Sequence, residues 1–205
     1  MPVLGLSADP PLAAWPTSGV IGILDLEYTA WEGSVQRDWC ESWEWREIVQ
    51  IGFLLVDAGR SFSTRDGLEI MVQPARNPEL SDYFIALTGI TNERLAGEGR
   101  PLADSLEALS AFGASAEAII FNGYDGEIFR ENCTLNNVDL PWDEARMFDF
   151  RPLLAKSLDQ PAHKLVSSDL PELAGISVSG RAHSALHDCK AIAAALAAWR
   201  KAGRL

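Results

Sequence analysis

Five residues of this chain have types and spacings suited to chemistry: Asp25 and Glu27 in VIGILDLEYT, Asp125 in FNGYDGEIFREN, and His183 and Asp188 in RAHSALHDCKAIAAAL. The carboxylates offer oxygen ligands for a divalent cation, and the histidine offers a general base. Asp25 and Glu27 stand two apart in an apolar run, so the period of a strand puts both on one face. A buried, unpaired carboxylate costs several kcal/mol or takes up a proton, and no Lys or Arg precedes Arg37 to neutralise the pair locally. Either the strand stops before Asp25 and both acids are solvated, or the pair faces a cation. Asp125 directly follows the apolar run AIIFN. A carboxylate there either caps the next helix or points into a site at the strand end. His183 and Asp188 lie five residues apart, about 140° around a regular helix. Both reach one point only if His183 sits on the loop entering the helix. Otherwise Asp188 is an acid near a helix N-terminus and His183 a surface histidine.

The elements that must position these residues follow from hydrophobic period. Residues 20–29 read as a strand buried on both faces, central in its sheet. EIVQIGFLLVDAG and SFSTRDGLEIMVQP read as two more strands joined by a glycine turn, giving a three-stranded antiparallel meander. Beyond Pro78 the pattern turns helical, with a short segment over 79–86, a break at Thr88-Gly89, and a helix after Pro101. AIIFNG is a strand, residues 126–136 a helix, RMFDF a short strand, and residues 184–201 a helix with an apolar stripe through Leu186, Cys189, Ile192, Leu196 and Trp199. The expectation is an α/β fold, its mixed sheet combining an antiparallel meander with parallel strands and flanked by helices. Residues 1–18 hold four prolines and no regular period, so they are expected to be a loose leader to one domain over 19–205. Residues 31–47 carry four of the seven tryptophans and read as a long connection, with Trp39, Trp43 and Trp45 pinning it to the sheet.

Composition narrows the partners. The net charge of -12 opposes coating of long nucleic acids by phosphate neutralisation. The charge is uneven, however: residues 1–144 hold 8 Lys and Arg against 24 Asp and Glu, residues 145–205 hold 9 against 5. No apolar run approaches the ~20 residues of a membrane span, and the N-terminus lacks signal-peptide character. Three widely spaced cysteines, Cys40, Cys133 and Cys189, fit neither a disulfide framework nor a zinc site, so reduced thiols in a cytoplasm are expected.

DLE, then the aspartate of N-G-Y-D, then H-x4-D resemble the three motifs of the DEDDh 3′-5′ exonucleases, which have a ribonuclease H-like fold. The similarity runs over residues 20–199 and includes EIVQIGFLLVD, the strand ending in VQP, and ELSDYFIALTGITNERL. Within that family the WEGS stretch, LTGIT, MFDFRPLL and HDCKAIA are most similar to the eri-type exoribonucleases. The chain departs from them in carrying His187 where an acid is common, and the additional RNA-binding domain that they often carry is not expected here.

The resemblance implies that Asp25, Glu27, Asp125 and Asp188 are the four metal-binding acids and His183 the family's histidine. Four gathered carboxylates raise one another's pKa unless cations intervene, and all-oxygen ligands suit two Mg2+ or Mn2+ ions better than zinc. Such a pair activates a water and stabilises a leaving 3′-oxygen. The implied substrate is nucleic acid with a free 3′ end, single-stranded or short, with RNA ahead of DNA. The alternatives are a DNA proofreading or repair exonuclease and a catalytically silent binding module of the same fold. Further substrate contacts are expected from Trp31, either a stacking platform or a core anchor, from donors at Thr88 and Gly89, and from Arg181 on a phosphate.

Overall fold

Val20–Tyr28 form strand β1, buried along nearly its whole length, because it sits third in a five-stranded sheet in a computed structural model that describes residues 10–205. β2 (Ile48–Asp57) pairs antiparallel with β1, and β3 (Ser63–Met71) antiparallel with β2. On the other side β4 (Ala118–Phe121) and β5 (Met147–Asp149) run parallel to β1, giving the order β3-β2-β1-β4-β5. This is the mixed, ribonuclease H-like sheet that the sequence implied. β1 continues through Asp25 and Glu27, so the reading in which the strand ends before them does not hold.

Both faces of the sheet are covered, as its apolar strands require. On one face Ile21, Ile23, Leu54 and Val56 pack under α8 (Ala185–Lys201), through Ile192, Leu196 and Trp199, and under α6 (Arg151–Leu158), through Leu154 and Leu158. On the other, Leu24, Leu26, Ile51 and Phe53 meet α4 (Leu102–Phe112) and α5 (Asp125–Asn136). A smaller cluster joins Val49 and Met71 to α2 (Asp82–Thr88) and α3 (Asn92–Glu98), through Phe84 and Leu95. The sequence reading omits α3; the Thr91 hydroxyl caps it by accepting the Arg94 N–H. Two one-turn helices, α1 (Ser34–Arg37) and α7 (Leu170–Leu173), complete the set among the described residues.

Part of the segment expected as a leader packs on the sheet. Residues 10–12 run along β5, the Leu12 N–H donating to the Asp149 carbonyl and the Asp149 N–H to that of Pro10. Trp15 packs on Phe62 and Phe150 and donates to Ser157 Oγ, and Arg200 holds the Pro16 carbonyl. Prolines here keep the strand-edge segment extended, where no ladder N–H is required of them. Residues 1–9 of the expected leader lie outside the described residues. Among the described residues no helix is long and apolar enough to cross a membrane.

Candidate active site

Asp25 and Glu27 lie at the end of β1 where the parallel strands present their carboxyl ends, the usual location of sites in such sheets. Both are buried, as are Asp125 and Asp188, all four at most 9 % exposed. Asp125 opens α5, yet its carboxylate does not cap that helix: Tyr124 holds the cap position and no side-chain cap bond forms. Asp188 lies in the first turn of α8. His183 precedes that helix on the entering loop, as a shared site demands, and its backbone N–H donates to Asp188 Oδ2 at 3.0 Å. Atoms of Glu27, His183 and Asp188 able to ligate an ion all lie within 4.8 Å of one another.

Electrostatics make the group unusual. Burial, then Asp125, Glu27 and Asp188, push the Asp25 carboxyl well above its ordinary range. Burial, then Asp188 and Asp125, push Glu27 up to about 8. Asp125 rises to about 7 through burial, with Arg151 opposing and Asp149 adding. Asp188 rises to about 6 through burial, opposed by the His183 N–H. His183 moves down, through burial and then Arg181, with Asp169 opposing. Among the described residues no ion pair engages any of the four acids, and Asp188 Oδ1 is buried with no hydrogen-bond partner. Four carboxylates that repel one another around an orphaned oxygen fit hard divalent cations.

These directions set a pH dependence. A carboxyl whose pKa is raised by folding favours the folded state while protonated; that contribution is whole below the unfolded value of about 4 and is lost as pH climbs through the folded values. Melting in EDTA is therefore expected to fall between pH 5 and pH 8, and to fall less in Glu27→Gln. A wild-type profile no steeper than that of the variant would contradict the assignment of a strained acidic cluster.

Sequence reasoning missed the frame behind Asp125. Arg151 donates to Asn122 Oδ1 at 2.9 Å and to the Asn122 carbonyl at 2.6 Å, while Asn122 Nδ2 reaches the Leu165 carbonyl and Ser167 Oγ. Asp149 Oδ1 accepts the Gly123 and Arg151 N–H groups. A Cβ on Gly123, at φ 90°, would lie 2.2 Å from the Arg151 guanidinium, so the turn into Asp125 requires glycine. The one available signal is a polar residue, Asn122, directly after a fully apolar strand.

The other expected contacts are placed differently. Trp31 is half-buried and stands edge-on to Trp43, ring centroids 4.8 Å apart. Trp39 does pin the loop, donating from Nε1 to the Thr29 carbonyl. Trp43 and Trp45 are 48 % and 39 % exposed, and Trp45 meets the Arg76 guanidinium rather than the sheet. The loop is instead held by the Arg37–Glu44 ion pair and by Glu47, whose carboxylate accepts the N–H groups of Ala75, Arg76 and Asn77. The donors expected at the helix break are in use. Thr88 Oγ1 donates to the Phe84 carbonyl and accepts the Ile90 N–H, and the Gly89 N–H closes α2 on the Ile85 carbonyl. Arg181 lies over Gly89 and donates to the Ala86 carbonyl, which brings it to the α2 end beside the His183 loop.

The exonuclease family RNase_T matches residues 23–196. The chain belongs to this exonuclease family. No curated protein matches its sequence. Among solved structures it is similar to a 3′-exonuclease described with a histone mRNA stem-loop, at 21% identity and TM-score 0.78, covering 98% of this chain and 68% of that one. The nuclease domain of 3′hExo, a DEDDh family member bound to rAMP, shares 21% identity at TM-score 0.75, with 93% and 96% covered. Exonuclease I of E. coli in complex with a dT13 oligonucleotide shares 15% at TM-score 0.65, with 89% of this chain but only 41% of that one covered. Identities this low establish the common fold.

Proposed function

We propose that this member of the exonuclease family is a divalent-cation-dependent 3′-5′ enzyme that removes nucleotides from single-stranded or short nucleic acid, RNA ahead of DNA. The observation that carries the reading is the convergence of Asp25, Glu27, Asp125 and Asp188, with an imidazole nitrogen of His183 within 4.8 Å of carboxylate oxygens of Glu27 and Asp188 and, among the described residues, one Asp188 oxygen left without a partner. Asp25, Glu27, Asp125 and Asp188 would hold two Mg2+ or Mn2+ ions, which when bound supply Lewis-acid activation of the attacking water and charge stabilisation at the leaving 3′-oxygen. His183, pushed down in pKa by burial and Arg181, would accept the proton of the attacking water at an imidazole nitrogen. The preference for RNA rests on the eri-type resemblance and on the histone mRNA stem-loop and the rAMP named for two structural neighbours. The acidic total favours chain ends over long duplexes, since few phosphates are neutralised away from the site.

End-labelled RNA and DNA of equal sequence, with and without Mn2+, test the reading. Shortening from the 3′ end, dependent on the ion and on a free 3′-hydroxyl, is expected. Equal shortening of 3′-phosphorylated and 3′-hydroxyl strands would exclude this polarity, and binding without shortening would favour a silent module. Trp31 adds a separate expectation. Its ring packs edge-on against a neighbour that is itself half-exposed, so Trp31→Ala should weaken single-strand binding by ~1 to 3 kcal/mol and hardly move the melting temperature. Trp39→Ala, which loses the bond to Thr29, should do the reverse. Loss of stability without loss of affinity in Trp31→Ala would make Trp31 a core anchor.

A further inference from the structure

Each acid of the β1 pair has a cross-strand partner on β2: Asp25 is opposite Gly52, and Glu27 opposite Gln50. Opposed residues of an antiparallel pair share a face, so Gln50 and Gly52 lie on the face that α8 crosses. Gln50 is the one polar side chain in the interior of β2 and is 1 % exposed. Its Oε1 accepts the N–H of Ala185, the first residue of α8, at 2.8 Å. Ser184, at the cap position of α8, makes no side-chain cap bond, so the glutamine of a neighbouring strand does the work a cap residue does elsewhere. Gly52 supplies the space. A Cβ there would lie 2.2 Å from the Ala185 carbonyl carbon and 2.4 Å from the Leu186 nitrogen, both backbone atoms that cannot turn aside.

From this geometry we infer that Gln50 and Gly52 are positioning residues: a seat on β2 that fixes the start of α8, and through it Asp188 and the His183 loop, against Asp25 and Glu27. The inference rests on the exonuclease reading and goes beyond it by assigning a role to residues that touch neither substrate nor ion. The chain of contacts is short. Gln50 holds the Ala185 N–H, the Asp188 N–H bonds the Ser184 carbonyl one turn on, and the His183 N–H bonds the Asp188 carboxylate. Both functional residues of this segment thus hang from the one fixed end. Gln50 also explains why a strand otherwise apolar along its interior tolerates a carboxamide. Its acceptor answers a buried N–H that would otherwise have no partner, while Nε2 rests on the Met71 sulfur at 3.6 Å.

Two variants test the seat in different ways: Gln50→Met keeps the length and removes the acceptor, and Gly52→Ala pushes the helix start off the strand. In Gln50→Met, turnover is expected to fall about 10- to 100-fold and Mn2+ affinity of the free protein about 10-fold, as when partners that orient metal ligands are removed. KM should stay within about two-fold, because substrate contacts are untouched. Amide exchange should speed up at Ala185 and Asp188 and not in β4. Gly52→Ala should show the same pattern; if it fails to fold, Gln50→Met still decides. Leu106→Ala, which opens the core under α4 on the opposite face, shows what lost stability alone does. Wild-type turnover and Mn2+ affinity in Gln50→Met, or losses no greater than in a Leu106→Ala protein of equal or lower melting temperature, would overturn the seat. If the wild-type chain shortens no oligonucleotide, the exonuclease reading fails, while Mn2+ affinity and the Ala185 amide still judge the seat on their own.

Discussion

Replacing Asp188 or Asp25 with alanine is expected to abolish turnover, by at least about 10^3-fold or ~4 kcal/mol of transition-state stabilisation, while leaving the ion-free fold intact or slightly more stable. The two halves of that expectation come from the same cause. Among the described residues each acid is buried beside the others with no cation partner, and each is pushed up in pKa mainly by that burial. Removing one relieves repulsion in the ion-free protein at pH 8, where the cluster carries most charge. In Asp188→Ala the relief is partly offset, because the His183 N–H loses its acceptor. With ions present the sign reverses. Wild-type protein should gain stability on adding Mn2+, by about 2.7 kcal/mol at one hundred times the dissociation constant, and the variants should gain much less. Thermal melts in EDTA and in Mn2+, beside a turnover assay, provide the check. Equal Mn2+ stabilisation in wild type and both variants would place the ions elsewhere.

Much of this arrangement was legible in the sequence because it depends on period and order. The alternation of β1 fixes Asp25 and Glu27 on one face whatever the rest of the chain does, and the stripe through Cys189, Ile192, Leu196 and Trp199 brings α8 along that face. Angular geometry required His183 to precede the helix if it was to share a site with Asp188, and it does precede it. What escaped depends on contacts between segments distant in the chain. Nothing near Gln50 announces that its carboxamide answers the N–H of Ala185, 135 residues on. Asn122, Asp149 and Arg151 form their frame only once β4 and β5 are adjacent. The tryptophans misled for a related reason. A Trp-rich loop suggests burial, but Glu47 and the Arg37–Glu44 pair already hold this one, so Trp43 and Trp45 remain exposed. Likewise Thr88 and Gly89 mark a helix end in sequence, and a helix end has its own unpaired groups to satisfy before it can offer any to a ligand.

His183→Ala is expected to lower turnover ~10^2- to 10^4-fold with little change in substrate binding, the range for losing a general base that acts only in the transition state. Alanine alone, however, confounds two roles. His183 has φ 59°, in the left-handed region, where a residue with a Cβ is held at a cost of roughly 1 to 2 kcal/mol. What holds it is its N–H on Asp188 Oδ2, so the backbone of residue 183 also fixes one carboxylate of the cluster. Asparagine separates these roles, because it enters the left-handed region more readily than most residues and has no group that takes a proton near neutrality. His183→Asn should therefore keep wild-type Mn2+ affinity and melting temperature yet lose turnover as fully as His183→Ala. At saturating Mn2+, where protons no longer displace the ions from the carboxylates, the wild-type rate should also hold down to a pH below the ordinary imidazole value of about 6.5, because burial and Arg181 depress this histidine, and that acid limb should be missing from the residual rate of His183→Asn. A His183→Asn protein that retains the full rate at neutral pH would leave His183 with only its backbone role, and the proton would have to go to one of the carboxylates.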